Sequence, residues 1–265
     1  PYPLNLTKSL SRALQYRSLR LYYQPIVRPG PEDSWIPVAA EALLRIEKDD
    51  GSVLTPSSFA EALNHPRLAR SLGCFVVETG LCQAKVWQDE GLDLQISVNV
   101  SIPHLLDPRF LEDIERLVIR PSQVSPKTLT LEVTESAQIK DLDQASEALQ
   151  QCQRWGMQIS LDDFGTGYAS LTYLQKIPVN TIKIDQSFIR DILAYEKDRA
   201  IVYGILAAAS KMGVLVVAEG VESPAHAGLL CAMNCPLLQG YWMAKPMRAD
   251  NFTKWIRRVG GAFKS

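Results

Sequence analysis

"LTLEVTESAQIKDLDQASEALQQCQRWGMQISLDD", residues 129–163, holds two alternating strand-like runs, 129–135 and 157–163, separated by the helix-length stretch 142–155. Side chains on a strand alternate between its two faces. In the first run Leu129, Leu131 and Val133 share one face, and Thr130, Glu132 and Thr134 the other. In the second, Ile159 and Leu161 oppose Gln158, Ser160 and Asp162. One face is apolar enough to pack beneath helices; the other is polar and carries acids.

The same unit repeats outward in both directions. Further strand candidates lie at 19–27, 38–46, 94–100, 181–185, 214–220 and 237–243. Helix-length stretches fall at 66–90, 107–119, 197–212 and 223–234, and a final one at 248–259. Eight strands with intervening helices are the arithmetic of an α/β protein built as a (β/α)8 barrel. Periodicity alone also admits a doubly wound open sheet. The first two strands are joined only by "RPGPEDSWIP" (28–37), which leaves no room for a crossover helix and predicts an antiparallel pair.

Parity carries more information than the strand count. Ala42, Leu44 and Ile46 oppose Glu41, Leu43 and Arg45; Ile96, Val98 and Val100 oppose Ser97 and Asn99; Ile182 and Ile184 oppose Thr181, Lys183 and Asp185. With the apolar parity toward the helices, Glu41, Asn99, Glu132, Asp162, Lys183, Glu219 and Gln239 converge on the barrel axis. Most stand near the carboxyl ends of their strands, where barrel enzymes place their chemistry. Six acids (Glu41, Glu132, Asp162, Asp163, Glu219 and Glu222) face only Lys183 and Arg45. Such a group stays ionised in a half-buried site only with cations. Oxygen-only donors without His or Cys favour hard ions such as Mg²⁺ or Mn²⁺.

The adjacent pair Asp162-Asp163 sharpens that expectation. Two carboxylates ~4 Å apart repel by roughly 4 kcal/mol at an effective dielectric of about 20. Asp162 is expected to end its strand pointing inward, and Asp163 to begin the loop, free to turn the same way. The pair could then bridge two metals, an arrangement suited to phosphoester displacement. Arg45, on the parity of Glu41, suits a bidentate grip on a substrate phosphate.

Bulk properties narrow the alternatives. The chain has 265 residues, 46% hydrophobic and 22% charged, with a formal net charge of -1, so no global basic field recruits a DNA or RNA polymer or an anionic membrane. Any acidic partner must be captured locally. Five cysteines without a CxxC pair suit a reducing compartment. Cys231 and Cys235, spaced i,i+4, read as two sites on one helical face. The histidines (65, 104 and 226) are scattered singly and read as surface or cap residues. No signal peptide or 18-residue apolar run appears. Residues 1–18 read as an amphipathic connecting helix and 19–265 as one barrel domain. The opening "PYPLN" lacks a methionine, so the chain reads as a fragment of a longer protein.

"YQPIV" (23–27), "EALLR" (41–45), "SVNVS" (97–101), "EVTES" (132–136), "DDFGTGYAS" (162–170), "IKID" (182–185), "AEGVE" (218–222) and "QGY" (239–241) together resemble the EAL-domain family, in the family's order. The resemblance implies a modified (β/α)8, TIM-like barrel with an antiparallel first strand. It implies a bacterial second-messenger phosphodiesterase that opens cyclic di-GMP to linear 5'-pGpG with two Mg²⁺ or Mn²⁺ ions, with Ca²⁺ inhibitory. Glu41, Asn99, Glu132 and Asp162 match ligands of the first metal. Asp162, Asp163 and Glu219 match those around the second.

Lys183 matches the lysine that contacts the attacking water, and Glu222 and Gln239 match residues that support the site. Gln24, Leu43 and Asp185 match positions that touch substrate, and Tyr241 and Pro246 a guanine pocket. Glu135 and the loop Phe164, Gly165, Thr166, Gly167 match the segment that couples the site to a homodimer. Ala169 departs mildly from a serine common in the family. An upstream sensor or GGDEF-type domain and a cytoplasmic location follow from the same resemblance. Relatives that have become non-catalytic cyclic di-GMP receptors usually lose an acid or the lysine; none is lost here.

Overall fold

The structure, a computed structural model, describes residues 18–31, 34–59, 63, 65–134, 141–167, 170–259 and 263–264. The expected connecting helix at 1–18 falls, up to residue 17, outside the described residues, and so does Glu135.

Eight strands close a barrel: β1 (Leu19–Pro29), β2 (Ser34–Glu47), β4 (Gln95–Asn99), β5 (Leu129–Thr134), β6 (Gln158–Phe164), β7 (Thr181–Ile184), β8 (Leu215–Ala218) and β9 (Leu237–Leu238). Two short strands, β3 (Val53–Leu54) and β10 (Phe263–Lys264), pair with β2 outside the ring. β1 runs antiparallel to both its neighbours, β2 and β9, while every other ring pair is parallel. The closed ring excludes the open sheet. The β1–β2 hairpin is longer than its sequence suggests, because both strands run well into the expected loop.

The helices cover the barrel with the apolar stripes that their spacing dictates. In α1 (Pro66–Asp89) the buried residues Ala69, Leu72, Val76, Gly80, Ala84 and Trp87 recur every three or four positions. His65 caps this helix by accepting the Arg67 N–H, and Pro66 occupies its first turn. α2 (Ile102–Leu105) and α3 (Phe110–Ile114) follow β4, and α3 passes into a π-helical turn, Glu115–Ile119, so the single helix expected at 107–119 is broken. α4 (Leu142–Arg154) starts on Asp141, whose side chain accepts the Gln144 N–H. α5 (Ser170–Lys176) and α6 (Gln186–Arg190) are too short to show a periodic stripe. α7 (Glu196–Met212) stops at Gly213, in the left-handed conformation that helix ends favour. α8 (Pro224–Ala232) and α9 (Ala249–Val259) complete the coat.

The apolar parity packs outward as expected: Leu129, Leu131, Val133, Ile159 and Leu161 are all fully buried. A second, smaller cluster lies inside the ring, formed by Ile26, Ala39 and Val217 with Leu237 against it. Ile26 pairs with Ala39 two residues below the Gln24–Glu41 pair, so this cluster plugs the barrel beneath the acids. The acids therefore rest on a layer that mixes these apolar side chains with the buried hydroxyls of Ser97, Thr130 and Ser160. Cys235 falls after α8 rather than on it, so Cys231 and Cys235 do not share a helix. Among the described residues no helix is long and apolar enough to cross a membrane.

Candidate active site

Glu41 on β2, Glu132 on β5, Asp162 on β6 and Lys183 on β7 project into the ring above this mixed layer, and Glu219 follows the end of β8. Lys183 Nζ lies 3.1 Å from Glu41, 3.2 Å from Glu132, 3.3 Å from Asp162 and 2.7 Å from Glu219. Asn99 donates to Glu41 Oε1 at 3.0 Å, while Gln239 donates to Glu41 Oε2 at 2.7 Å and to Gln24 at 3.2 Å. Gln24 in turn donates to the Ala244 carbonyl, tying the layer to the segment after β9.

Asp163 reaches the site by a device absent from the sequence reading. The strand does not end at Asp162; it continues to Phe164, with a register shift against β7 between Leu161 and Phe164. Asp163 sits at the shift with φ 54°, a conformation that Asp tolerates at a cost of about 1 kcal/mol. Such an irregularity re-aims side chains that regular pleating would send to opposite faces. Its N–H donates to Asp162 Oδ1 at 3.0 Å. Gly165, at φ 98°, then turns the chain where a Cβ would press on the Phe188 ring, and Thr166 Oγ1 donates to the Asp163 carbonyl.

Two carboxylate triads result, Glu41–Glu132–Asp162 and Asp162–Asp163–Glu219, each with one oxygen per residue within 4.8 Å of the others. Asp162 belongs to both. The all-oxygen donor set and the shared carboxylate fit hard divalent cations. The electrostatics agree. Burial, together with Glu41, Asp162 and Glu219, drives the Glu132 carboxyl well above its usual range despite Lys183. Burial, Asp162 and Glu41 push Glu219 up to about 8, and burial and Glu41 raise Asp162, again against Lys183. In Glu41 the burial penalty is overcome by the Lys183 charge and by hydrogen bonds from Gln239, Lys183 and Asn99, which hold it low. Lys183, although burial opposes its charge, is held firmly protonated by the four acids. One ammonium does not neutralise this group.

A cavity of about 420 Å³ opens from the triads, lined among others by Leu43, Leu72, Val76, Asn99 and Asp163. Arg45 is buried beside the Tyr22 ring, with 5.9 Å from the guanidinium carbon to the ring centroid, and among the described residues no carboxylate pairs with it. Tyr22 shares Gln24's parity on β1, a signal available in the sequence but not read there. Tyr241 is 59% exposed, with Lys245 over its ring, and Pro246 is half-buried nearby in the chain. Asp185 caps α6 through the Ser187 N–H. Glu222 stands exposed on the loop after β8, without an ion pair among the described residues. The structure brings neither into the acid group.

A third group was not legible. Asp113 on α3 accepts two hydrogen bonds from Arg70, at 2.6 and 2.8 Å, and one from Arg116 at 3.3 Å, beside Cys74 and His104. His104 and His226 are buried, so only His65 keeps the expected cap role. Both Asp113 oxygens are taken by guanidinium groups, which makes this a clamp between α1 and α3. Burial would raise the Asp113 carboxyl, but hydrogen bonds from Arg70, Cys74 and Arg116 hold it at about 2. A depressed folded-state value stabilises above the ordinary carboxylate range, and that stability disappears as pH falls from about 4 through 2. Asp113→Asn is expected to cost about 2 kcal/mol at neutral pH and to flatten the acid limb of stability over that window. Urea melts at pH 7 and pH 3 check it; an equal loss at both would refute the clamp.

An α/β barrel with one reversed strand and a carboxylate-rich, lysine-centred mouth is the class that fold and site define. The EAL domain family matches residues 7–246, and the chain belongs to it. It is 37% identical over 250 residues to MucR of Pseudomonas aeruginosa, a bifunctional diguanylate cyclase/cyclic di-GMP phosphodiesterase, covering 93% of this chain and 36% of that protein. It is 34% identical over 255 residues to the cyclic di-GMP phosphodiesterase PA2567 of the same organism, covering 96% and 43%. The chain thus spans less than half the length of each of these two relatives. The solved MucR phosphodiesterase in complex with c-di-GMP superposes with a TM-score of 0.85 at 35% identity, covering 94% of this chain and 99% of that one.

Proposed function

We propose that this chain is a metal-dependent phosphodiesterase domain that hydrolyses cyclic di-GMP to linear 5'-pGpG. The observation that carries the reading is the pair of carboxylate triads joined through Asp162, with Lys183 among them. The complex of the MucR phosphodiesterase with c-di-GMP supports the choice of substrate. Glu41, Asn99, Glu132 and Asp162 would hold one ion, and Asp162, Asp163 and Glu219 a second, with Mg²⁺ or Mn²⁺ as the candidates. When bound, such ions acidify a water and neutralise charge on phosphoryl oxygens.

The chain's own groups then orient the reaction. Lys183 presents an ammonium to the attacking water. Gln239 and Asn99 fix the Glu41 carboxylate from either side. Attack of water at phosphorus forms the new P–O bond and breaks the bond to one 3'-oxygen, which leaves as a hydroxyl with the proton that the water releases through solvent. Arg45, Gln24 and Leu43 are the proposed substrate contacts next to the triads, with Asp185, Tyr241 and Pro246 further along the rim. Glu222 is assigned a supporting role. Phe164–Gly167 would link the site to a homodimer contact.

The greater length of MucR and PA2567 supports a parent protein with further domains, such as a sensor or GGDEF-type module. Residues 19–265 would form its barrel domain, with the nucleotide chemistry in the cytoplasm.

Incubation with cyclic di-GMP and Mg²⁺ or Mn²⁺ tests the reading, with chelator and Ca²⁺ as controls. pGpG should form with the first two ions and fall to a small fraction with Ca²⁺, whose larger, looser coordination suits the geometry poorly. Binding without turnover would select a receptor instead. Arg45→Ala is expected to lower kcat/KM roughly 10- to 100-fold, the worth of a charge-assisted phosphate contact. Arg45→Lys should recover little, since a point charge cannot reproduce the planar fork. An unchanged kcat/KM in Arg45→Ala would remove that residue from the substrate contacts.

A further inference from the structure

Lys183 makes more contacts than holding a water requires. Its side chain is 1% exposed, and its ammonium lies within 3.3 Å of four carboxylates drawn from both triads. An ammonium has three hydrogens to give. Four acceptors around it are held by charge as much as by hydrogen-bond geometry. The oxygens it holds are Glu41 Oε2, Glu132 Oε2, Asp162 Oδ1 and Glu219 Oε1. Other groups share these carboxylates: Glu41 Oε1 accepts from Asn99, Glu41 Oε2 also from Gln239, and Asp162 Oδ1 also from the Asp163 N–H.

We propose that Lys183 is the resident counter-cation of the metal-free cluster, and that it withdraws from part of it when divalent ions take up the same oxygens. This rests on the reading of the triads as a metal centre. Without any cation, four acids would share a buried pocket, which desolvation and mutual repulsion both penalise. Lys183 offsets part of that penalty in advance and keeps the ligands gathered. The same contacts work against metal entry, because ammonium and metal compete for the same carboxylates. A four-carbon stem with rotatable bonds can shorten its reach by a rotamer change and leave β7 in place. Lys183 therefore sets metal affinity while preserving the fold of the empty site.

The exchange predicts two effects of opposite sign, whereas a merely structural lysine would weaken both properties when replaced. Lys183→Met keeps the stem's bulk without the charge. In chelator it should melt at least about 5 °C below wild type. Its Mn²⁺ affinity by calorimetry should be at least about tenfold tighter, since no ammonium has to leave. Lys183→Arg, still charged, should bind Mn²⁺ no tighter than wild type.

A Lys183→Met protein that folds only with Mn²⁺ would also support the exchange. Wild type that binds Mn²⁺ alongside a variant binding it equally or more weakly would overturn it. Wild type that takes up no Mn²⁺ would overturn both this inference and the metal reading beneath it. If the variant folds under neither condition, crystal structures of wild type with and without Mn²⁺ decide. Nζ must leave at least two of the four carboxylates on metal binding; four retained contacts would end the proposal.

Discussion

Asp162→Asn is expected to slow cyclic di-GMP hydrolysis by about a thousandfold or more, while the melting temperature moves by only a few degrees. Asp162 is the residue common to both triads, so its replacement would disturb both proposed ion positions at once. An amide of the same shape offers one weaker oxygen and a nitrogen that cannot bind a cation. The loss of charge stabilisation at a reacting phosphoryl group is worth several kcal/mol. Stability should survive because the substitution removes one negative charge from an overcrowded group. Burial and Glu41 already raise the Asp162 carboxyl, against Lys183. The side chain is largely buried, but an amide of nearly the same shape keeps its packing. Chromatography of pGpG formation, beside calorimetry of the melt, checks both halves. A rate within tenfold of wild type would take Asp162 out of the chemistry.

The second large effect falls on a glycine. Gly240 is buried, and a Cβ built on it would fall on the backbone of Val221. Backbone cannot swing aside as a flexible side chain can. The two segments are also tied together, since the Val221 N–H donates to the Gln239 carbonyl and the Trp242 N–H to the Val221 carbonyl. Gly240→Ala is therefore expected to cost about 3 kcal/mol or more, by forcing these segments apart. The damage should also reach the site, because Gln239, the preceding residue, donates to Glu41. Denaturant unfolding reads the first effect and the KM for cyclic di-GMP the second. A variant as stable as wild type would mean that the two segments separate freely.

Much of the barrel was legible because strand parity is a local property. Glu41, Glu132, Asp162 and Lys183 alternate with residues that pack under the helices, and an inward assignment needs nothing beyond the neighbouring letters. The features that escaped depend on partners remote in the chain. The irregularity that turns Asp163 exists only relative to β7. β9 ends at Leu238, not at 243, and the chain beyond it packs Gly240 against the remote Val221. The Arg70–Asp113 clamp joins residues 43 apart in sequence, and no local pattern announces it. The fourfold embrace of Lys183 appears only once the ring is closed. Short helices such as α6 offer too few residues for a period to show.

The reversed first strand has a consequence for how this domain can be addressed. Leu19 pairs with Ile46 near the carboxyl end of β2, and the Glu47 N–H donates to the Ser18 carbonyl. Ser18 therefore lies at the same end of the barrel as the carboxylates, not at the opposite end, where an all-parallel ring would start its first strand. Tyr22, against which Arg45 rests, is four residues from Ser18. A tether fixed at Ser18 would load the same rim that carries the carboxylates, with no need to pass its pull through the body of the domain.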